Sequence, residues 1–359
     1  MSPVNVLITA ASRRVPLVLA FRNALGSLGI PGRVVVTDVN PLSPAVHVAD
    51  QAYRVPLAHD PDYLPELLKI CETEGIRLAI PTIDDELEIF GAARPTFAGL
   101  GVLAACSSEE TAAICNDKYA TWQQLSAAGV PVARTYLPEA LPSKPRFPLF
   151  IKPRVGRGAV GAHKIRNQRD LDFFLDYVER PVIQEYLDSP EFTIDVLCDM
   201  RGRPISIVPR ERVVIRAGVM DRGRTVKSQG LIDLAEQVCA AIPFGGPINI
   251  QCRMRDGWAS VFEINPRFSG GIPLTIASGG DFPKLLINMA MGVALASQVG
   301  EFREGVWMTS YEASVFLEES NLRLPVCASP PPIAEVASTF ALHASTSALF
   351  ASVDKTVDR

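Results

Sequence analysis

The chain has 359 residues, of which 48% are apolar and 21% charged, with a formal net charge of -4. This length favours two or three lobes over one core, and the weakly acidic balance argues against a nucleic-acid partner, which normally requires a basic surface. The chain contains no uninterrupted apolar run of about 18 residues, so no membrane span is predicted. The seven cysteines are scattered without a CxxC pair, which predicts reduced core thiols. The N-terminal segment has the pattern of a first strand instead of a signal peptide, so a cytoplasmic protein is expected.

Strands alternate with helices in the first part of the chain. Short apolar runs occupy residues 4–9, 34–38 and 78–82, and a helical pattern covers residues 63–75. This alternation predicts a parallel sheet with helices on both faces. The lobe is Rossmann-like, but the loop at residues 10–14 lacks GxGxxG, so dinucleotide binding is not predicted.

The pattern changes near residue 117. Alternating runs at 192–197, 248–254 and 260–265 predict hairpins, and therefore an α+β lobe after the α/β one. The stretch after residue 300 is rich in proline, alanine and serine and receives no element assignment.

A lysine at the end of a predicted strand precedes a glycine-rich loop. Lys152 ends an apolar run, and Gly156, Gly158 and Gly161 follow it. Glycines allow backbone amides to approach a nucleotide phosphate closely, and the ammonium group supplies positive charge. The alternative interpretation is an ordinary glycine-rich hairpin turn.

Two further segments are weak signals on their own. Lys118 opens a predicted helix, where a lone lysine is usually a solvated charge. The strand that ends at residues 184–187 offers backbone hydrogen bonds to an adenine edge, and Glu191 suits ribose hydroxyls. Two ordinary strands with surface carboxylates are the alternative.

The segment 248–271 is the most informative one. Period-two alternation places polar side chains of two successive strands on one face of a hairpin, and these residues are Asn249, Gln251, Arg253, Glu263 and Asn265. Phe262 and Ile264 are expected on the opposite face, in the core.

The turn decides whether these polar tips meet. A three-residue turn at 256–258 places Gln251 opposite Glu263, whereas a two-residue turn places Phe262 there. We therefore predict the three-residue turn. The resulting carboxylate and amide oxygens suit a hard Mg²⁺ ion shared with substrate phosphates, and the alternative is a polar hairpin face.

Residues 209–225 contain five arginines and two glycines. Arginines bind carboxylates and acyl phosphates through paired hydrogen bonds, so an anion-binding strand is predicted, with Arg210 as its candidate residue. The alternative is a charged strand edge that prevents aggregation.

In this order and spacing, the four segments that contain Lys118, Lys152, Glu191 and residues 248–271 resemble the ATP-grasp superfamily. The chain is most similar to its carbamoyl-phosphate-synthetase-like branch, which includes stand-alone ligases such as the pyrrolysine-pathway enzyme. The resemblance covers residues 4–295.

The resemblance implies three regions. A Rossmann-like pre-ATP-grasp domain would span residues 1–115, and a two-lobed ATP-grasp domain would span 116–300, with a mobile glycine-loop lobe near 133–187. Residues 301–359 would form a C-terminal segment without an assigned fold.

The resemblance also implies roles for individual residues. The ATP-binding residues would be Lys118, Lys152, Gly156 and Gly158 for the phosphates, Glu185, Tyr186 and Leu187 for adenine, and Glu191 for ribose. Mg²⁺, with Mn²⁺ as an alternative, would be bound by Gln251, Glu263 and Asn265. The catalytic residues would be Arg267, which steadies the transferred phosphoryl group, and Arg210.

The expected function is an ATP-dependent carboxylate–amine ligase that forms an acyl phosphate and releases ADP and phosphate. Its partners would be small, amino-acid-like carboxylates and amines, and a homodimer is a family-based expectation. Two rival functions remain open. One is a bicarbonate-activating carboxylase or carbamate-forming enzyme, although the QVEH-like stretch that follows NPR in biotin carboxylases is absent after Arg267. The other is a non-catalytic nucleotide-binding regulatory protein.

Overall fold

The computed structural model describes residues 2–156, 158, 160–216 and 218–319. The predicted C-terminal segment therefore lies outside the described residues from position 320 onward, as does Cys327. The six other cysteines are buried free thiols, as predicted. Within the described part of the chain, no helix has both the length and the apolar character needed to cross a membrane.

The N-terminal lobe is a five-stranded parallel sheet of order β3-β2-β1-β4-β5. Its strands are β1 (Asn5–Ile8), β2 (Val34–Asp38), β3 (Gln51–Arg54), β4 (Ile76–Ile80) and β5 (Leu103–Ala104). Its helices are α1 (Val15–Leu28), α2 (Pro44–Val48), α3 (Tyr63–Glu74) and α4 (Asp84–Gly99). Alternate β1 residues enter two separate cores, Val6 with α1 on one face and Leu7 with α3 and α4 on the other. The predicted α/β lobe is confirmed.

Two short helices lead into a second, smaller sheet. They are α5 (Glu109–Asn116) and α6 (Lys118–Ala127). Asp117 begins α6, because its carboxylate accepts hydrogen bonds from the backbone amides of Tyr119 and Ala120. The small antiparallel sheet has the order β6-β9-β7-β8 and is covered by α7 (Gln168–Tyr177). Its strands are β6 (Thr135–Tyr136), β7 (Leu149–Pro153), β8 (His163–Ile165) and β9 (Pro181–Glu185).

The third sheet is antiparallel, with the order β14-β13-β10-β11-β12-β15. Its strands are β10 (Glu191–Cys198), β11 (Pro204–Arg216), β12 (Val219–Thr225), β13 (Gly246–Arg255), β14 (Trp258–Asn265) and β15 (Trp307–Thr309). The helices of this region are α8 (Gln229–Ala241), α9 (Ile272–Ser278) and α10 (Phe282–Ala290). The three predicted strand runs fall within β10, β13 and β14, so the predicted α+β region is confirmed.

The β13–β14 hairpin corrects the predicted turn while confirming the predicted pairing. Arg255 pairs with Trp258, so the turn is the two-residue Asp256-Gly257, with φ of 51° and 83°. Positive φ at both central residues is typical of a type I′ turn. The predicted three-residue turn is therefore wrong. Gln251 nevertheless pairs with Glu263, as predicted.

A β-bulge reconciles these two observations. Cys252 pairs with Val261 and Gln251 with Glu263, so Phe262 is an extra residue on β14. The bulge adds the residue that the short turn lacks. The predicted register is therefore restored from the pair Gln251–Glu263 to the pair Asn249–Asn265. It also rotates Phe262 out of the core, where Val261 and Ile264 are buried. The predicted core position of Phe262 is wrong, and that of Ile264 is confirmed.

Candidate functional site

The polar tips of β13 and β14 converge. Asn265 Nδ2 donates to Glu263 Oε1 at 3.2 Å and to Asn249 Oδ1 at 3.3 Å. Gln251 pairs with Glu263 across the strands, and its Oε1 accepts a hydrogen bond from Arg212 at 3.2 Å. One carboxylate with neighbouring amide oxygens fits a hard divalent cation that completes its shell with phosphate oxygens. Among the described residues, no group of three or more His, Cys, Asp or Glu side chains forms a competing metal site.

Two lysines stand beside this cluster. Lys152 is buried, and its Nζ donates to the carbonyl of Phe262 at 3.2 Å and lies 5.6 Å from that ring's centroid. Burial lowers the pKa of Lys152 to about 8, although nearby Glu263 raises it. Lys118 Nζ donates to the carbonyl of Gly156 at 2.7 Å, and burial also lowers its pKa, against the raising effects of Glu263 and Asp84. The bulged residue Phe262 thus supplies the carbonyl that accepts a hydrogen bond from Lys152. Both lysines are partly desolvated cations.

We expect Lys152→Met to stabilise the fold while weakening nucleotide binding. Below pH 8 the lysine is protonated in both states, so the cost of burying its charge is fully present. Between pH 8 and the ordinary value of 10.5 the folded state loses the proton first, so the cost declines. Urea unfolding should show a gain at pH 7, with each pKa unit worth about 1.4 kcal/mol, and a smaller gain at pH 10.

Lys69→Met, at an exposed position of α3, is the matched control for this comparison. If Lys152→Met lowers stability at pH 7, or raises it equally at both pH values, the desolvation account of Lys152 is contradicted.

The glycine loop joins β7 to β8 and requires its glycines. Gly156, Gly158 and Gly161 have φ of 140°, 68° and 69°, which L side chains rarely adopt. The loop meets the β11–β12 hairpin, because a Cβ added to Gly218 would lie 3.4 Å from the carbonyl carbon of Gly158. The start of the loop is joined to α6 by an ion pair between Arg154 and Asp117, with an N–O distance of 2.6 Å.

The residues predicted to bind adenine form contacts within the protein or lie partly exposed. The Glu185 backbone amide donates to the Arg134 carbonyl at 2.9 Å, and Tyr186 lies under Lys164 Nζ, 3.9 Å from its ring centroid. Leu187 follows the strand and is half-buried. These contacts do not test the adenine role, which stays a prediction.

Both carboxylate oxygens of Glu191 accept hydrogen bonds from arginines. Oε1 accepts from Arg212, and Oε2 accepts from Arg253 at 2.8 Å. Arg212 also donates to Gln251 and, at 2.6 Å, to the carbonyl of Gly218. Arg212 therefore connects the predicted ribose residue, a predicted metal ligand and the tip of the β11–β12 hairpin. Sequence reasoning noted Arg212 only as one of five arginines.

Arg267 contacts the N-terminal lobe. Its Nε and Nη2 donate to the two carboxylate oxygens of Asp84 at 2.8 and 2.9 Å, and Nη2 also donates to Asn265 Oδ1 at 3.0 Å. Arg14 donates to the carbonyls of Thr82, Phe268 and Ser269 at 2.9 to 3.2 Å. Burial, with a further contribution from Arg267, lowers the pKa of Arg14 to about 10.

Sequence reasoning missed both Asp84 and Arg14. The available signal was their position after β4 and β1, because ligands of open parallel sheets bind at the carboxyl ends of adjacent strands.

The structure places Arg210 in a closed ion pair below the polar cluster. It donates to Asp195 at 2.7 and 3.1 Å and to Ser269 Oγ at 3.0 Å, and both charged side chains are 1% exposed. A Cβ added to Gly271 would lie 2.4 Å from Arg210 Nη1. Arg210 therefore supports the turn after Arg267 instead of presenting an open surface to an anion.

A small cavity brings most of these groups together. Its lining includes Asp84, Lys118, Gly156, Glu263 and Asn265. The phosphate-binding and metal-binding predictions, made from separate segments, thus meet at one place, and a residue of the N-terminal lobe joins them.

Two family models match the chain. Residues 178–313 match one described as ATP-grasp in the biosynthetic pathway with Ter operon, and residues 6–105 match the PylC-like N-terminal domain. The arginine-specific carbamoyl phosphate synthase large chain of Bacillus subtilis (strain 168) is 26% identical over 270 residues, which cover 70% of this chain and 25% of that protein. The chain therefore spans about a quarter of that relative's length.

Solved structures show the same fold at low sequence identity. The biotin carboxylase domain dimer of the Hydrogenobacter thermophilus 2-oxoglutarate carboxylase, in complex with MgADP, ADP and bicarbonate, has a TM-score of 0.66 and 17% identity, covering 86% of this chain and 74% of that one. An L-amino acid ligase from Bacillus licheniformis has a TM-score of 0.63 and 18% identity, covering 85% and 78%.

Proposed function

We propose that the chain, which matches an ATP-grasp family model over residues 178–313 and a PylC-like N-terminal domain over residues 6–105, is an ATP-dependent carboxylate–amine ligase of the ATP-grasp type. The observation that supports this most is the convergence of Lys118, Glu263 and Asn265 on one cavity beside buried Lys152. The arrangement offers positive charge and metal ligands but needs no side-chain nucleophile. Such a site suits phosphoryl transfer, which depends on positioning and charge stabilisation.

The proposed reaction has two steps. A carboxylate oxygen of the first substrate attacks the γ-phosphorus of ATP, and the bond from that phosphorus to the ADP oxygen breaks. The amine nitrogen of the second substrate then attacks the acyl carbon, the bond from that carbon to the phosphate oxygen breaks, and the nitrogen gives up a proton. The products are an amide, ADP and phosphate.

The chain's own residues would stabilise charge during the first step. Lys118 and Lys152 would bind the phosphate oxygens, and Arg267 would steady the transferred phosphoryl group. Closure of the glycine loop at Gly156 and Gly158 would exclude water from the acyl phosphate.

The metal set would be Gln251, Glu263 and Asn265, with Mg²⁺ as the ion and Mn²⁺ as a substitute. A bound Mg²⁺ would supply charge neutralisation for the phosphate oxygens. Arg212 donates to one of these ligands and to Glu191, so we propose that it holds both side chains in place. The anion contact that the sequence suggested for Arg210 is not proposed again, because the Arg210 guanidinium is buried against Asp195. Arg210 instead becomes a positioning residue through Asp195 and Ser269.

The remaining predictions are kept as proposals. They are the domain boundaries near 115 and 300, the mobile lobe near 133–187, the adenine role of residues 185–187, the ribose role of Glu191 and a homodimer. The dimer is supported by the MgADP-bound biotin carboxylase domain dimer among similar structures. Amino-acid-like substrates are supported by the L-amino acid ligase among them.

A panel of carboxylate and amine pairs tests the ligase proposal. The full chain is supplied with MgATP, and ADP, phosphate and product mass are measured for each pair. We expect ADP and phosphate to be released only when both an amino acid and an amine are present. The product should have the mass of the two substrates joined by an amide bond.

Two other outcomes would identify the rival functions. Release that requires bicarbonate would favour the carboxylase or carbamate-forming enzyme. ATP binding without turnover across the panel would favour the regulatory protein.

A further inference from the structure

Asp84 is a residue of the N-terminal lobe that accepts hydrogen bonds from Arg267 of the proposed phosphoryl-transfer site. It begins α4, just after the carboxyl end of β4, and its two oxygens accept the paired hydrogen bonds from Arg267. Each side chain of this pair is 15% exposed. A bidentate arginine–carboxylate pair fixes the plane of the guanidinium as well as its position.

The orientation of Arg267 is set by four hydrogen bonds. Besides the two to Asp84, Nη2 donates to Asn265 Oδ1 and Nη1 donates to the Phe268 carbonyl at 3.3 Å. A guanidinium has five N–H donors. Among the described contacts, one Nη1 N–H therefore remains for an anion, and the direction in which it points depends on the pair with Asp84.

The surroundings make this pair more than a surface ion pair. Asp84 lines the cavity that also contains Lys118 and Glu263. Buried Arg14 lies close enough to Arg267 for mutual repulsion, and the Asp84 carboxylate offsets it. Without that carboxylate, two neighbouring guanidinium groups would repel each other at the edge of the site.

We propose that Asp84 is a positioning residue that holds Arg267 so that its remaining N–H faces the transferred phosphoryl group. This inference rests on the proposed function, because it assumes that Arg267 meets that group. It assigns the N-terminal lobe a direct part in orienting the phosphoryl-transfer site.

The test compares MgADP affinity with and without aluminium fluoride, which forms a mimic of the phosphoryl group in flight. It needs no knowledge of the amide-forming substrates. The variants are Asp84→Asn, Asp84→Glu and, as matched control, Asp62→Asn on the exposed surface of the same lobe. Thermal unfolding is recorded for each, so that only folded protein is compared.

In the wild type, aluminium fluoride is expected to tighten MgADP binding. Asp84→Asn should lose about 10²-fold of this tightening, the loss expected when a catalytic group is misplaced by about 1 Å. MgADP affinity without fluoride should change by a much smaller factor, because Asp84 reaches the bound nucleotide only through its charge effect on Lys118. Asp84→Glu should restore part of the tightening, and Asp62→Asn should behave as wild type.

Equal tightening in Asp84→Asn and wild type would overturn the inference while leaving the proposed function intact. A wild type that binds MgADP but shows no fluoride effect would contradict the role of Arg267 and overturn the inference as well. Failure of the wild type to bind MgADP would sink the proposed function itself. With an active pair from the panel, a raised KM for the amine with kcat recovered at saturation would show that Asp84 binds substrate directly and would also overturn the inference.

Discussion

Replacing Glu263 by glutamine is expected to lower Mg²⁺-dependent ATP turnover by about 10²- to 10³-fold, since a catalytic metal contributes several kcal/mol. Glu263 is the carboxylate of the proposed metal set, whereas Gln251 and Asn265 contribute neutral amides. Glutamine keeps the shape and an oxygen that accepts from Asn265, so the fold should be unaffected. Phosphate release at increasing Mg²⁺ concentration measures the effect.

The same substitution has an expected pH signature. Glu263 raises the pKa of both Lys118 and Lys152, so its loss lets these lysines release their protons at lower pH. Nucleotide binding by Glu263→Gln should therefore weaken at a lower pH than in the wild type. Glu236→Gln, at an exposed position of α8, is the control. Turnover within twofold of wild type at low Mg²⁺ would contradict the metal site.

The second large effect is on stability. Replacing Arg210 by methionine leaves the Asp195 side chain buried, at 1% exposure, without its ion-pair partner. Removing one member of a buried pair costs about 3–5 kcal/mol. Urea unfolding of Arg210→Met should show a loss of this size, whereas Arg201→Met at an exposed position should show almost none.

A double variant separates the buried-pair account from a direct catalytic role. In Arg210→Met with Asp195→Leu, an apolar pair replaces the charged one, and most of the lost stability should return, because such exchanges are often neutral. Wild-type stability for Arg210→Met combined with loss of turnover would contradict the positioning role. It would support the original prediction that Arg210 contacts the anion.

The hairpin shows which parts of the site a sequence determines. Alternation predicted that Gln251 faces Glu263, and the structure has that pairing. The predicted turn is wrong, because alternation alone makes a two-residue turn at Asp256-Gly257 incompatible with the pairing of Gln251 and Glu263. The bulge makes the two compatible. A bulge at Phe262 leaves no mark in the alternation, since it adds one residue with an ordinary side chain.

The contacts between lobes were beyond sequence reasoning for a different reason. Asp84 and Arg267 are 183 positions apart, and their pairing depends on how the parallel-sheet lobe packs against the turn after β14. Local periodicity carries no information about such packing. The same limit applies to Arg210. Alternation assigns its side chain to one face of the strand, but it cannot show that the guanidinium forms an ion pair with Asp195 on the neighbouring strand.

In the proposed reaction the carboxylate is activated as an acyl phosphate. The most direct measurement uses the active pair from the panel, with ¹⁸O in the carboxylate, and determines by mass spectrometry where the label goes. One ¹⁸O atom in each released phosphate, together with ADP, is the predicted result, because the carboxylate oxygen stays on phosphorus when the amine attacks the acyl carbon. Unlabelled phosphate, or AMP and pyrophosphate as products, would contradict the account.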